Sequence, residues 1–164
     1  MAMQDFRIGT GYDVHGFARG RTLVLGGVEI PHHQGLAGHS DADVLLHAVC
    51  DALLGALGLG DIGEHFPDTD PRYKGISSLR LLEDCAGLMS EKGYEPVNLD
   101  CTLFAQVPRI SPHKTQMKKN IATTLSVLPD RVNIKATTTE KLGFVGREEG
   151  ICAACTLLLK PVPG

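Results

Sequence analysis

The sequence predicts an α+β fold, a two-layer sandwich with a mostly antiparallel sheet. Three observations carry that expectation. Residues 98–106 alternate, with Leu99, Cys101, Leu103 and Ala105 on one side, which is the period of a strand. Residues 40–60 and 77–93 instead repeat their apolar residues at i, i+3 and i+4, the period of a helix. The closing run ICAACTLLLK is apolar on both faces, so a last strand there needs cover on both sides. The 164 residues suit one domain, and 1–164 is read as such.

Residues 7–17 read as the first strand. In LVLGGVEIP, 23–31, Gly26 and Gly27 separate two short apolar runs as a hairpin turn would. GLAGHS, 35–40, reads as a loop. In SDADVLLHAVCDALLGALGLG, Ser40 or Asp41 is placed to cap a helix. Its buried face would be Leu45, Ala48, Val49, Ala52, Leu53, Ala56 and Leu57. Asp43, His47 and Asp51 form a second row away from that face. Residues 61–75, DIGEHFPDTDPRYKG, have no period and two prolines, and read as a long polar loop of the functional kind. Ser77 or Ser78 then caps a second helix with Leu79, Leu82, Ala86 and Met89 as its apolar row, ending at Gly93. A further helix is expected at 112–127, a strand at 132–136 and the last strand at 151–160.

Composition excludes several classes. Hydrophobic residues make up 43% and charged residues 21%, a globular balance, and the net charge of −3 comes without a lysine and arginine cluster, so no nucleic-acid partner is expected. No apolar run nears 18 residues, so no membrane segment is expected. MAMQDFR lacks a signal peptide's apolar core and a transit peptide's bias, which reads as a bacterial cytoplasmic protein. Of the five cysteines, Cys152 and Cys155 form a C-x-x-C, but on a strand they point to opposite faces and cannot converge, so buried thiols are the expectation.

Three constellations carry chemistry. Asp13 and His15, two apart on a strand, share a face. With His47, they make the two-histidine, one-carboxylate set of a catalytic zinc site, while buried but otherwise satisfied polar residues are the alternative. Asp61, Glu64, Asp68 and Asp70 crowd one loop, either as hydroxyl acceptors or as a solvated acidic turn. KATTTEKLGFVGREEG offers hydroxyls, the hard oxygen ligand Glu140, and the cations Lys141 and Arg147; a helix cap and turn is its alternative. No Walker A loop, dinucleotide fingerprint or serine-hydrolase elbow occurs.

The set GYDVH, GHSDADVLLHA, LGDIGEHFPDTDP, NLDCTLFAQVPRISPH and NIKATTTEKLGFVGREEG resembles the 2-C-methyl-D-erythritol 2,4-cyclodiphosphate synthase family, collinearly from about Arg7 to Lys160. The resemblance implies a ferredoxin-like subunit with helices on one face of the sheet. It implies a homotrimer with sheets facing the threefold axis and active sites between subunits. It also implies closure of 4-diphosphocytidyl-2-C-methyl-D-erythritol 2-phosphate to the cyclic diphosphate with loss of CMP. Asp13, His15 and His47 would hold zinc, and Glu140 magnesium or manganese. His39 and Ser40 would contact phosphate and erythritol, and Asp61 and Gly63, with Asp68 nearby, the methylerythritol. Ala105, Pro108, Arg109, Ile110 and Ser111 would cradle the cytosine. Ala136, Thr137 and Thr138 would line the phosphate side, with Thr138 taking a phosphate; His39 and Thr138 are the catalytic candidates. Phe144 and Arg147 would face an axial cavity, which the resemblance offers to an isoprenoid diphosphate.

Two departures stand out. Arg109 occupies a position often held by lysine. Ala154 stands where some members carry an acid that pairs with the arginine matching Arg147, which weakens the case for an ion-paired gate. Two other functions fit the same residues: a zinc hydrolase of a nucleotide or phosphoester, and a non-catalytic nucleotide- or isoprenoid-binding trimer.

Overall fold

The computed structural model describes residues 5–163. Residues 1–4, part of the segment read as lacking a leader, lie outside them. The chain runs β1 (Arg7–Ala18), β2 (Leu23–Leu25), β3 (Val28–Ile30), β4 (Gly35–Leu36), α1 (Val44–Leu57), α2 (Ile62–His65), α3 (Ser78–Glu91), β5 (Tyr94–Phe104), α4 (Lys114–Thr124), β6 (Val132–Thr137), α5 (Gly143–Gly146) and β7 (Gly150–Pro161). The main sheet has the order β4-β1-β7-β5-β6, and β2 pairs with β3 as the expected hairpin. Only β5 and β6 are parallel among the described strands, joined by the crossover through α4. The fold is mixed α+β with a mostly antiparallel sheet.

Register gives each face its character. Cys101 opposes Cys155 and Leu103 opposes Ala153, and these with Leu99, Val132 and Leu157 form the buried face under the helices. The opposite face carries Ile8, Tyr12 and Val14, 69%, 59% and 45% exposed. All five cysteines are free and buried, with Cys152 and Cys155 on opposite faces as their spacing required.

Helix α1 lies unusually close to β1. A Cβ built on Gly9 would stand 1.9 Å from the Ala52 carbonyl oxygen, and one on Gly11 2.0 Å from that of Ala48. Only glycine fits this seam, and the small Ala48, Ala52 and Ala56 answer it from the helix. Asp13 and His15 continue the Gly9, Gly11 row by strand parity, so they point toward the N-terminal end of α1.

The helix departs from its sequence reading in two ways. Eleven of its fourteen residues are buried, so α1 is a core helix covered nearly all round and not a one-faced one. Its cap is Asp43, not Ser40 or Asp41. The Asp43 carboxylate accepts from Leu46 N–H at 3.1 Å and from the hairpin amides of Gly26 and Gly27 at 2.9 and 2.7 Å. It therefore pins the β2–β3 turn to the helix start. Burial pushes its carboxyl up to about 6, against these donors, which favour the ionised form.

The region 61–75 is not wholly irregular. Asp61 caps α2 and Asp70 caps a single turn at Pro71–Tyr73, so two of its four acids are helix caps. Segment 35–40 contains the two-residue strand β4. The helix expected at 112–127 begins as a tight turn at Ser111–His113 and is regular only from Lys114. No helix among the described residues is long and apolar enough to cross a membrane.

Gly11→Ala should cost about 3 kcal/mol, because the added methyl meets backbone that cannot yield locally. A urea midpoint lowered at unchanged slope is the expected result.

Candidate metal centre and phosphate pockets

The antiparallel register gathers the chemistry at one end of the sheet. Asp13 and Leu103 both flank Ala153, and His15 pairs with Ile151. The C-terminal ends of β1, β5 and β6 and the start of β7 therefore share an edge. The N-terminus of α1 reaches the same edge through the glycine seam.

There, Asp13 Oδ2 lies 3.0 Å from His15 Nε2 and 3.0 Å from His47 Nδ1, and the two ring nitrogens are 3.0 Å apart. A tetrahedral ion with bonds of about 2.0 Å needs ligand atoms roughly 3.3 Å apart. The donor set, its near-equilateral triangle and its partial burial all fit such an ion. This is the one cluster of three or more potential metal ligands among the described residues. Burial alone would raise the Asp13 pKa. The hydrogen bonds and charges of the two imidazoles outweigh it and hold the carboxyl well below the usual carboxylate range, so it is ionised and ready to bind.

Asp43 and Asp51, the row mates of His47, are not ligands. Asp43 is the buried cap, and Asp51 accepts from Ile62 N–H at 2.8 Å, fixing the start of α2. Burial raises the Asp51 pKa, and the nearby Asp13 charge adds to it.

A cavity of about 440 Å³ opens over the triangle, lined by His15, His47, His39, Ser40, Gly63 and Asp68 together with Ile62, Phe66, Pro67 and Tyr73. Its aromatic and proline wall was missed, because no period marks those residues in the sequence. His39 Nε2 donates to the Asp70 carbonyl at 3.2 Å, which leaves its Nδ1 available. Asp61 does not line this cavity; its carboxylate accepts from Glu64 N–H at 3.0 Å as a cap.

A second cavity of about 390 Å³ is formed by Ala105, Pro108, Arg109, Ile110, Ser111, Ala136, Thr137 and Thr138, with Gln106 and Val107. Parallel pairing of β5 and β6 brings these two strand exits together, and Ala105 N–H donates to the Thr137 carbonyl at 3.0 Å. Next to it, Thr138 Oγ1 donates to Glu140 Oε1 at 3.0 Å. Glu140 and Lys141 both have positive φ, 53° and 64°. Two consecutive non-glycine residues in that region store strain, which is common where a side chain is held for function. The T-T-x-E segment is thus a strained turn and not a helix start. Glu140, whose carboxylate accepts from the Thr138 hydroxyl, offers a hard oxygen ligand of the kind magnesium takes.

The two cavities share no lining residue. A third, apolar cavity of about 340 Å³ holds Phe144 with Tyr12, Phe104, Leu142 and Cys152 on the outer face of the sheet. Arg147 is exposed, and its guanidinium donates to Glu149 at 2.8 and 3.1 Å. Arg147 is thus paired within its own chain by an acid two residues further on. That partner is legible in REE only once the turn before β7 is known.

The fold and this cluster define an α+β protein with a candidate metal site and two separate cavities along one sheet edge. The chain belongs to the YgbB family, whose model matches residues 6–160. It is 59% identical over 154 residues to the 2-C-methyl-D-erythritol 2,4-cyclodiphosphate synthase of Syntrophomonas wolfei, covering 94% of this chain and 98% of that one. Among solved structures, the bifunctional IspDF of Campylobacter jejuni superposes with a TM-score of 0.93 at 46% identity. That match spans 97% of this chain and 43% of the longer one. The IspF of Plasmodium falciparum in its CDP complex gives 0.85 at 36%, covering 99% and 100%.

His47→Ala should leave the purified protein without stoichiometric bound zinc after equilibration and dialysis, by elemental analysis, while its circular dichroism stays that of the parent.

Proposed function

We propose that the chain, taken as one synthase domain, converts 4-diphosphocytidyl-2-C-methyl-D-erythritol 2-phosphate to 2-C-methyl-D-erythritol 2,4-cyclodiphosphate and CMP. The observation that carries this reading is the Asp13, His15, His47 triangle beneath the cavity of His39, Ser40 and Asp68. It occurs in a chain whose relatives are named as that synthase. The hydrolase alternative is not favoured by those names.

The reaction asks little of the protein in proton transfer. A phosphate monoester has a second pKa of about 6, so the substrate's own 2-phosphate is an anionic nucleophile at neutral pH. Its oxygen bonds to the β-phosphorus as the bond to the α-phosphate oxygen breaks, and CMP leaves with that electron pair. Zinc held by Asp13, His15 and His47, and magnesium or manganese held by Glu140, would neutralise the crowded phosphates. The chain's other residues bind and orient. His39 presents Nδ1, and Ser40 presents its hydroxyl, to phosphate and polyol. Asp61 and the Gly63 backbone hold the methylerythritol, with Asp68 nearby. Ala105, Pro108, Arg109, Ile110 and Ser111 enclose the cytosine, while Ala136, Thr137 and Thr138 orient the diphosphate. Holding both ends of one substrate makes ring closure an oriented intramolecular step.

In this reading a homotrimer supplies the metal cavity of one subunit and the cytosine cavity of the next. Separate cavities on one chain and the exposed Ile8, Tyr12 and Val14 support it. Phe144 and the Arg147–Glu149 pair would face the axial space, with an isoprenoid diphosphate as a candidate occupant. The bacterial cytoplasm is the proposed location.

A phosphorus NMR time course with zinc, magnesium and the proposed substrate should show two cyclic diphosphate resonances growing with CMP. CMP with a linear product would replace this reading with hydrolysis, and bound zinc with unchanged substrate would remove it. Tyr12→Asp with Ile8→Asp should shift the mass in sedimentation from three times 17.6 kDa to one, with activity lost in parallel.

A further inference from the structure

We infer that Asp41 and Ser78, neither of them a metal ligand, form a positioning relay that fixes the ring tautomer of His47 and so sets metal affinity. The inference rests on the metal reading of the Asp13, His15, His47 triangle.

The relay follows from counting hydrogens. Ser78 is fully buried at the start of α3. Its hydroxyl donates to Asp41 Oδ1 at 2.5 Å, and its backbone N–H donates to Asp41 Oδ2 at 3.0 Å. Asp41 Oδ1 also accepts from Asp43 N–H at 3.2 Å, so this carboxylate is held on three sides. A serine hydroxyl has one hydrogen and two lone pairs. With the hydrogen committed to Asp41, Ser78 Oγ can only accept from its other neighbour, His47 Nε2, 3.0 Å away. Ser40 Oγ, 3.1 Å from the same nitrogen, already accepts from Ala42 N–H and provides a second acceptor there. The acceptor held at Ser78 Oγ therefore calls for a proton on His47 Nε2, which Ser40 Oγ is placed to share.

With Nε2 as the donor, His47 Nδ1 is the ring nitrogen left to coordinate once a metal displaces the proton it shares with Asp13, and it is the atom that faces Asp13 Oδ2 and His15 Nε2. A proton on Nδ1 would compete with a metal for the same lone pair. The relay makes the neutral ring a donor on its far side and a ligand on its near side. A histidine ligand whose other N–H is held by an oriented acceptor is fixed in rotation and made more basic, and loss of such a partner typically weakens metal binding 10–100-fold. The arrangement also ties the metal centre to α3. Asp41 N–H donates to the Ile76 carbonyl at 3.0 Å, so the chain entering α3 is laced to the segment that carries His39 and Ser40.

The test is zinc affinity of the full-length protein, by competition with a chromogenic chelator. Ser78→Ala should raise the zinc Kd 10–100-fold, with the metal-free melting temperature within a few degrees of the parent. Because both residues act through one hydroxyl, Asp41→Asn combined with Ser78→Ala should bind zinc no more weakly than Ser78→Ala alone. A Kd within twofold of the parent in a folded Ser78→Ala protein overturns the relay, as do losses that multiply in the double variant. Should Ser78→Ala not fold, ¹⁵N-histidine NMR of the zinc-loaded parent decides. A protonated Nε2 on His47 upholds the relay and a metal-bound Nε2 overturns it. A parent that binds no zinc defeats the metal reading itself, an outcome distinct from any of these.

Discussion

The rest of the structure depends on the contact between β1 and α1, made without side chains on the strand side. At Gly9 and Gly11 a single methyl would strike the carbonyl oxygens of Ala52 and Ala48. The helix therefore sits closer to the sheet than ordinary side chains allow. That closeness brings a histidine of the helix within 3.0 Å of a carboxylate on the strand. Two residues further along β1 the same row turns from glycine to ligand. The seam and the metal triangle are one feature of parity: empty positions let the helix in, and the next two positions meet it.

Much of this was legible because it rests on local periods. The strand face shared by Asp13 and His15 follows from alternation alone, and so do the opposed Cys152 and Cys155. The long helix followed from its apolar repeat. The cap did not, since Ser40, Asp41 and Asp43 all have the right chemistry. What selects Asp43 is the hairpin turn, whose Gly26 and Gly27 amides claim the same carboxylate from a distant part of the chain. Ser40 and Asp41 are instead drawn to His47 and Ser78. Ser78 looked like a helix cap and nothing more, because its partner on the other side is thirty-one residues away in sequence.

The acidic loop taught a similar lesson. Four carboxylates in ten residues suggested one binding surface, yet Asp61 and Asp70 cap short helical turns and only Asp68 lines the cavity. A composition signal cannot separate these tasks, since capping and ligand binding use the same oxygen acceptors. The T-T-x-E segment shows the reverse ambiguity. A capping box predicts ordinary helical angles at the glutamate, whereas the observed positive φ at Glu140 and Lys141 points the carboxylate back to Thr138. Backbone handedness, invisible in the sequence of a non-glycine pair, decides the case.

The placement of the cavities gives the last step. Parallel pairing of β5 and β6 and the antiparallel β1–β7–β5 register put every candidate group at one edge of the sheet. Yet the cavity of the metal triangle and that of the loop from Ala105 to Ser111 have no residue in common. A substrate carrying a nucleotide at one end and a phosphorylated polyol at the other has to engage both kinds of site. Meanwhile the sheet face away from the helices leaves Ile8, Tyr12 and Val14 in water, at a cost that association removes. In the proposed reading one assembly answers both demands: sheets packed on one another cover the apolar face, and their shared edges bring unlike cavities together. The scarcity of general bases then stops being a puzzle. The substrate brings its own nucleophile, and the protein's part is to hold charge and geometry, which a rigid helix laid on a glycine seam is well suited to do.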